Sequence, residues 1–526
     1  MTSILKYLNR ALLVLLLAAF AACSDNEGGN ESNGNGDDGN TETPADGDTY
    51  GYIKDTNGNS VEGVVVSDGY SCTATDAEGR YALTRNADAG FVFYSLPSAY
   101  KVSVDKTYKL PRFFARLQAG TARYDFTLEA LAAPEKRFDL ICIGDPQINE
   151  ASHAVRFKEE AGREIREYAA SAGVPCYGIT LGDHVNNKWT LFTNMVVALQ
   201  PEQTGVPVFA TIGNHDHEFP TADEKAARAK YESYFGPVDY SFNRGDVHVV
   251  SMDNVIHSCK ASADYEGGFT AAQYAWLKQD LSFVPKDKMV ILCVHIPFRG
   301  GWGTNSAHAD ADKYYDEVLD LLSQYEYAAI MSAHTHSNIN YIHRKNGKEI
   351  FEHVTGTTCG AWWRSTVCTE GTPIGFGLYR IDGNRMEEWA YRSVRHDEQF
   401  QIRLYRASDT FVGGAKYRFK QTGADQIVAN IWNWDPSWTV NVYENDVLSG
   451  QMTRNSDIDA WTVAYHIGLL NNTDSYRKSS DHMFHYTLKN PAAAVRVEAI
   501  DRFGNKYEQT VFTDPAEHPG DFHADF

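Results

Sequence analysis

The sequence predicts a central α/β domain of two stacked sheets flanked by two smaller all-β domains. Three observations predict it. Between Phe138 and about His396, short apolar runs alternate with stretches that carry apolar residues at helical spacing. On either side the helical pattern fades, and short alternating runs separated by turn residues take over. The chain has 526 residues, 43% hydrophobic and 13% aromatic, enough for two to four domains with sizeable cores.

The start is an export leader over residues 1–22. Lys6 and Arg10 form a basic region, and Ala11–Ala22 is apolar but too short to span a membrane. Phe20-Ala21-Ala22-Cys23 resembles a bacterial lipobox, which makes Cys23 the expected lipidation site. Residues 23–48 read as a tether, because Ser24–Asp46 is Gly, Asn, Asp, Glu and Thr with almost nothing to bury. Ser24-Asp25-Asn26-Glu27 resembles the surface-export tags of Bacteroidetes lipoproteins. The expectation is an exported lipoprotein of the outer membrane, exposed on the cell surface and touching the membrane only through its lipid.

Residues 49–132 read as a β-sandwich. Tyr52-Ile53, Val61–Val66, Tyr81–Leu83 and Phe91–Tyr94 are short strands between turns such as Asp68-Gly69. Thr75-Asp76-Ala77-Glu78-Gly79-Arg80-Tyr81 is similar to the hairpin of transthyretin-like domains. In it Asp76 and Gly79 supply the turn, and Tyr81 enters the core.

Residues 137–397 hold the chemistry. Five apolar runs, Phe138–Ile143, Cys176–Leu181, Val206–Ile212, Met289–Val294 and Tyr327–Met331, read as buried parallel strands. Each is followed by metal-ligand residue types: Asp145-Pro-Gln147, Gly182-Asp183-His184, Gly213-Asn214-His215-Asp216, His295, and Ala333-His334-Thr335-His336. Ligands of open α/β sheets bind beyond the carboxyl ends of strands, so all five blocks are expected at one rim. Val155–Ser171, Glu224–Phe235, Gln273–Leu281 and Ala311–Leu322 are the expected helices. Ile350–His353, Gly377–Ile381 and Glu387–Tyr391 are expected to close the second sheet.

Taken in order, the blocks resemble the calcineurin-like metallophosphoesterases, whose pattern is D-x-H, G-D, G-N-H-[D/E], a lone H and G-H-x-H. The flanking β-domains are similar to those of a bacterial branch of that family. The resemblance implies an αββα sandwich, two divalent metals, and hydrolysis of phosphate mono- or diesters by a hydroxide held between them. Two cations about 3.5–4 Å apart need a shared anionic ligand, and Asp183 matches the bridging position. By the same matching, one metal takes Asp145, Gln147, Asp183 and His336, and the other Asp183, Asn214, His295 and His334. His215 assists the leaving group, and Asp216 orients it.

Two departures stand out. Gln147 replaces the usual His; its amide oxygen is a hard, neutral ligand, which shifts preference toward Mn²⁺ or Mg²⁺ and away from soft-site metals and implies a weaker first metal. Mn²⁺ is the expected activator, with Mg²⁺, Fe or Zn²⁺ as alternatives. Ala333 replaces Gly and matters for packing. No tyrosine stands at a matched position, so the resemblance does not imply a purple, charge-transfer enzyme.

Around the blocks, Arg299, Trp302, Trp362, Trp363 and Arg364 are candidates for substrate contacts. His184 sits beside the bridge but is not a matched ligand. Asn186 and Asn187 read as turn residues, and His217, His308, His343 and His353 as structural or surface histidines.

Residues 398–526 alternate like strands again, as in Gln401–Tyr405, Gln426–Trp434, Thr439–Tyr443, Met483–Leu488 and Ala494–Ile500, with a hairpin turn at Asp501–Asn505. This is the second β-sandwich. Trp432, Trp434, Trp438 and Trp461 read first as its core.

The net charge of −21 argues against nucleic-acid duplexes as partners and leaves room for a phosphorylated small molecule or glycoconjugate at a metal centre. Cys142, Cys176 and Cys293 lie in apolar runs as buried thiols. Cys359 and Cys368 flank one loop and can pair in an oxidising compartment. Two other functions remain open. One is a catalytically weak surface binding module, against which the full ligand set speaks. The other is an enzyme resembling the 5′-nucleotidases, which carry a different C-terminal domain.

Overall fold

Arg137–Ile143 opens the central domain and sets its plan. Successive side chains of a strand point to opposite faces. Here Phe138, Leu140 and Cys142 enter one hydrophobic cluster while Ile141 and Ile143 enter another. A strand apolar on both faces must be covered on both, which explains the continuous apolar run. A computed structural model describes residues 47–299, 313–408, 425–473, 476 and 478–510. The leader, residues 23–46 of the tether with Cys23, Trp302 and His308 lie outside the described residues.

Five strands form the first central sheet. Val208–Thr211, Cys176–Leu181 and Arg137–Ile143 are parallel neighbours, and Gly375–Asp382 and Arg385–Ser393 continue the sheet antiparallel. The second has six. Val247–Ser251, Met289–Cys293, Tyr327–Ser332 and Lys348–Val354 run parallel, with Tyr240–Arg244 and Ile339–Lys345 antiparallel at the edges. The five motif-bearing strands are thus parallel, as expected, but divide three to two between the sheets.

The three later strands do not close one sheet together. Lys348–Val354 is the return arm of a hairpin from Ile339–Lys345, turned by Asn346-Gly347, both at positive φ. That fixes it to the second sheet. The chain from 355 to 374 then crosses to the first sheet, where Gly375–Asp382 pairs with Arg137–Ile143.

Helices cover the outer faces. Ala151–Phe157 runs through a π-helical turn, Lys158–Gly162, into Arg163–Ser171; with Phe192–Leu199 and Glu224–Phe235 it packs on the first sheet through Phe157, Ile165, Met195 and Tyr231. Ala271–Ser282 and Tyr315–Leu322 cover the second through Trp276, Leu281 and Val318. The result is the expected αββα sandwich. Ala271–Ser282 begins two residues earlier than its periodicity suggests because Thr270 and Gln273 cap each other reciprocally, at 2.9 and 3.2 Å.

The N-terminal module has a sheet of Arg80–Leu83, Thr49–Asp55 and Phe126–Leu128, and another of Cys72–Ala74, Val65–Ser67, Phe91–Tyr94 and Phe114–Arg116. Asp76 accepts from the amides of Glu78 and Arg80, and Tyr81 is buried, as its hairpin predicts. The module shares its core with the central domain. Trp276 Nε1 donates to Ser67 Oγ at 3.0 Å, and buried Arg244 donates to the carbonyls of Pro97 and Tyr100.

The C-terminal sandwich stacks Arg403–Arg406, Gln426–Asn430, Ser479–Thr487 and Thr453–Ile458 on Val447–Gln451, Thr439–Glu444, Val495–Ile500 and Lys506–Thr510. Ile427, Ala429, Val442, Val497 and Ala499 meet between them. Trp432, Trp438 and Trp461 are buried and Trp434 packs against the core, so these rings are structural.

Candidate metal centre

The carboxyl ends of the two parallel strand sets meet at one rim, and the five blocks meet with them. Two triads of ligand-capable side chains result: Asp183, His295 and His334, and Asp145, Asp183 and His336. All are buried, and Asp183 belongs to both.

The local backbone is strained where the ligands leave their strands. Asp145, Gln147, Asp183, His334 and His336 all have positive φ, between 35° and 65°. Side-chain-bearing residues enter this region at a cost of about 1–2 kcal/mol each. The glycines of the blocks serve close approach: a Cβ on Gly182 would lie 2.3 Å from His295 Nδ1, and one on Gly213 2.2 Å from the Asp183 amide nitrogen. Ala333 is fully buried, consistent with a packing role.

The second triad's imidazoles have defined faces. His295 Nδ1 lies 2.7 Å from the Leu181 carbonyl, which only accepts, so Nδ1 carries the proton. Its Nε2 then faces Asn214 Oδ1 at 2.9 Å, Asp183 Oδ1 at 3.3 Å and His334 Nδ1 at 3.0 Å. Acceptors do not converge so closely without a cation or proton between them. Ligands about 2.0–2.1 Å from one ion lie about 2.8–3.4 Å apart in octahedral or tetrahedral arrangement, and these spacings fall there. Without metal a proton fills the role: burial alone would lower the His295 pKa, but the Asp183 carboxylate raises it to about 9. Burial would likewise raise Asp183, yet His295 and His215 hold it well below the carboxylate range.

Unpartnered atoms mark the other triad. Asp145 Oδ1, Gln147 Oε1 and His336 Nδ1 are buried without hydrogen-bond partners, a costly state unless a ligand completes them. Asp145 Oδ2 accepts from the His334 amide at 3.0 Å, and Gln147 Nε2 donates to Asp183 Oδ2 at 3.2 Å. Burial pushes His336 down to about 3, leaving the neutral imidazole that ligates metals. The donors are carboxylate, amide and imidazole without thiolate, a set that fits hard and borderline divalent cations.

His215 lies at the edge of this cluster, half-buried. Its amide donates to Asp183 Oδ1 at 2.9 Å, and its Nε2 is 4.0 Å from Asp183 Oδ2. Its orienting partner is Asn187, whose Oδ1 accepts from Nδ1 at 2.8 Å. Asp216 does not fill that place. Its carboxylate faces His184 Nδ1 at 2.9 Å and takes the amides of His184, Val185 and Gly213, pinning two motif loops together. Asn214–Asp216 is a 3₁₀ turn, in which neighbouring side chains diverge by about 120°.

The remaining candidates separate. Trp362 is half-buried with its ring 4.9 Å from that of His336. Trp363 is buried and turned away; its Nε1 donates to the Pro146 carbonyl at 2.9 Å and its ring stacks on His153. It supports the Asp145–Gln147 loop from behind. Arg299 is exposed with its guanidinium over Tyr341, and Arg364 is exposed; neither makes a described polar contact with the two triads. His184, His217, His343 and His353 are held by Asp216, Asp253, Glu352 and Asn340 in structural roles. Cys359 and Cys368 are free buried thiols facing the Thr357 hydroxyl.

Three residues that the sequence does not single out matter here, Asn254, Asn338 and Tyr265, and Asn187, read from the sequence only as a turn residue, orients His215. Asn254 Oδ1 accepts the amides of His295 and Ile296 at 3.1 and 3.0 Å. Asn338 ties the two-histidine loop to the C-terminal sandwich. Tyr265 places its hydroxyl 3.4 Å from His334 Nε2.

Comparison with known proteins agrees with this geometry. Residues 125–338 match the calcineurin-like phosphoesterase domain, 48–131 the N terminal of calcineurin-like phosphoesterase, and 352–507 its C terminal. The chain belongs to the calcineurin-like phosphoesterases. Two curated relatives of this chain are purple acid phosphatase 23 and purple acid phosphatase 18 of Arabidopsis thaliana. They are 26% and 25% identical over 31% and 32% of the chain, which spans 36% and 38% of their length. Among solved structures, the purple acid phosphatase PPD1 of yellow lupin has a TM-score of 0.35 at 14% identity, over 50% of this chain and 53% of that one. A 5′-nucleotidase of Candida albicans has a TM-score of 0.31 at 13% identity, over 50% and 52%.

Proposed function

We propose that the centre binds two divalent metal ions and hydrolyses phosphate esters of small molecules or glycoconjugates. The observation that carries this reading is the pair of ligand triads sharing Asp183. Asp145, Gln147, Asp183 and His336 would hold one ion, and Asp183, Asn214, His295 and His334 the other. The cations, when bound, supply charge to the phosphoryl oxygens and activate a water near neutral pH. The oxygen ligands Gln147 and Asn214, beside two carboxylates, support Mn²⁺ as the ion.

The chain's own residues do the rest. Asp183, held ionised by its imidazole neighbours, offsets the repulsion between two cations. Gln147 Nε2 and the His215 amide fix its two oxygens. Asn187 occupies His215 Nδ1, so the ring turns Nε2 toward the centre. From there Nε2 donates a proton to the leaving-group oxygen or a hydrogen bond to the developing charge.

A chromogenic phosphoester assay with Mn²⁺, paired with metal analysis, tests this. Wild type is expected to hold two ions per chain and to lose turnover in EDTA. Asp183→Asn is expected to hold one at most and to be inactive. Turnover that survives both EDTA and Asp183→Asn refutes the two-metal reading.

A further inference from the structure

Trp362 is displayed at the centre by a strained piece of backbone. Trp362 and Trp363 are consecutive, bulky and both left-handed, at φ 50° and 64°. Such strain persists only where the surroundings enforce it. Here the Trp363 amide donates to the Cys359 carbonyl at 2.7 Å, the Arg364 amide to Ala361, and Arg156 Nη1 to the Trp363 carbonyl at 2.9 Å. The turn sends Trp363 into the core and leaves Trp362 half-buried against His336. Tyr476 of the C-terminal sandwich, itself buried, props the Trp362 ring edge-on at 5.7 Å. Beside the other triad stands Tyr265, half-buried, its ring 5.8 Å from that of His334. Half-buried Trp189 donates to the His215 carbonyl at 3.2 Å and packs edge-on against Phe219. Aromatic rings therefore flank a polar, charged centre at His336, His334 and His215, the composition of a pocket that binds an organic ring while a few polar groups fix its orientation.

We propose that Trp362, with Tyr265 beside the second triad, is a specificity-determining site that stacks on a flat apolar face in the alcohol part of the phosphoester. The face is an aryl group or nucleobase, or the apolar side of a sugar ring. The inference rests on the phosphoester reading and names its substrate class. Ring stacking on one aromatic side chain contributes about 1–3 kcal/mol, roughly 5- to 150-fold in affinity at 1.4 kcal/mol per tenfold.

The test compares kcat/KM of Mn²⁺-loaded wild type, Trp362→Leu and Trp362→Tyr. Phenyl phosphate, a nucleoside monophosphate and a hexose phosphate are set against glycerol phosphate. For at least one ring-bearing ester, the ratio to glycerol phosphate is expected to fall between roughly 5- and 150-fold in Trp362→Leu, mainly through KM, and to recover in Trp362→Tyr. Loss confined to the phenyl and nucleoside esters identifies a base or aryl group, and loss confined to the hexose ester a sugar face. Ratios unchanged across all three overturn the proposal, because a merely structural Trp362 lowers every substrate together. If wild type turns over none of these esters and no bis-aryl phosphodiester either, the phosphoesterase reading fails by itself. Calorimetric binding of phenyl phosphate and glycerol phosphate then decides: a ring preference lost in Trp362→Leu upholds the stacking site, and its absence rejects it.

Discussion

Truncating Asn338 is expected to loosen the metal centre from the far side of the molecule. Asn338 lies two residues past His336 and is 5% exposed. Its Nδ2 donates to the Trp432 carbonyl at 2.8 Å, its Oδ1 accepts from the Gly356 amide at 3.2 Å, and its own amide donates to Glu370 Oε1 at 3.1 Å. Asn338→Ala keeps the last of these and removes the first two. It leaves a buried carbonyl and a buried amide unpartnered, each costing about 1–3 kcal/mol. The anchor of the two-histidine loop is therefore weakened by about 2–6 kcal/mol. Loss of a group that orients metal ligands typically lowers metal affinity about 10- to 100-fold. Calorimetric Mn²⁺ titration beside thermal unfolding of the metal-free protein measures both quantities. Val497→Ala, in the fully buried sandwich core, is the control: it is expected to destabilise by about 2 kcal/mol with metal affinity unchanged. If Asn338→Ala lowers stability but binds Mn²⁺ like wild type, the C-terminal domain does not position the ligands and the reasoning is wrong.

Gln147→His is expected to tighten the first metal site by about tenfold and to move the preference from Mn²⁺ toward Zn²⁺, because a borderline imidazole replaces a hard amide oxygen; an unchanged order in metal-titrated activity rejects this. Asn187→Ala removes a hydrogen bond worth about 1 kcal/mol from the His215 ring. It should lower kcat about fivefold while two ions still bind, and a variant with wild-type kcat would show that Asn187 does not orient His215.

The ligands were legible because each caps a buried strand, and a run such as Cys176–Leu181 ends where a polar residue must begin. Sheet membership was not legible. Periodicity shows that Lys348–Val354 and Gly375–Asp382 are strands but not which neighbours they pair with. The Asn346-Gly347 turn signal, with both residues at positive φ, would have assigned the first. Asp216 misled because sequence adjacency to His215 suggests contact, whereas the 3₁₀ turn points it at the neighbouring loop. Asn187, Asn254 and Asn338 act through side-chain hydrogen bonds to loops distant in sequence, and no spacing announces such a partner.

Hydrogen bonds between the five blocks explain why they belong together. Four of the strained ligands, Asp145, Gln147, Asp183 and His334, are held by another block's backbone or side chain. The Gln147 amide donates to the Asp183 carbonyl at 2.6 Å and the His334 amide to Asp145 Oδ2 at 3.0 Å. His295 Nδ1 donates to the Leu181 carbonyl, and the Ala333 amide to the His295 carbonyl. The Asp216 carboxylate joins the Gly182 and Gly213 loops. A hydrogen bond of this kind contributes about 0.5–1.5 kcal/mol, and left-handed φ costs about 1–2 kcal/mol per residue. A typical single bond falls short of the strain at its own ligand, so the linked set holds the ligands in place. The centre is therefore a property of both sheets meeting at one rim, and ligand geometry in either sheet depends on the other being in place.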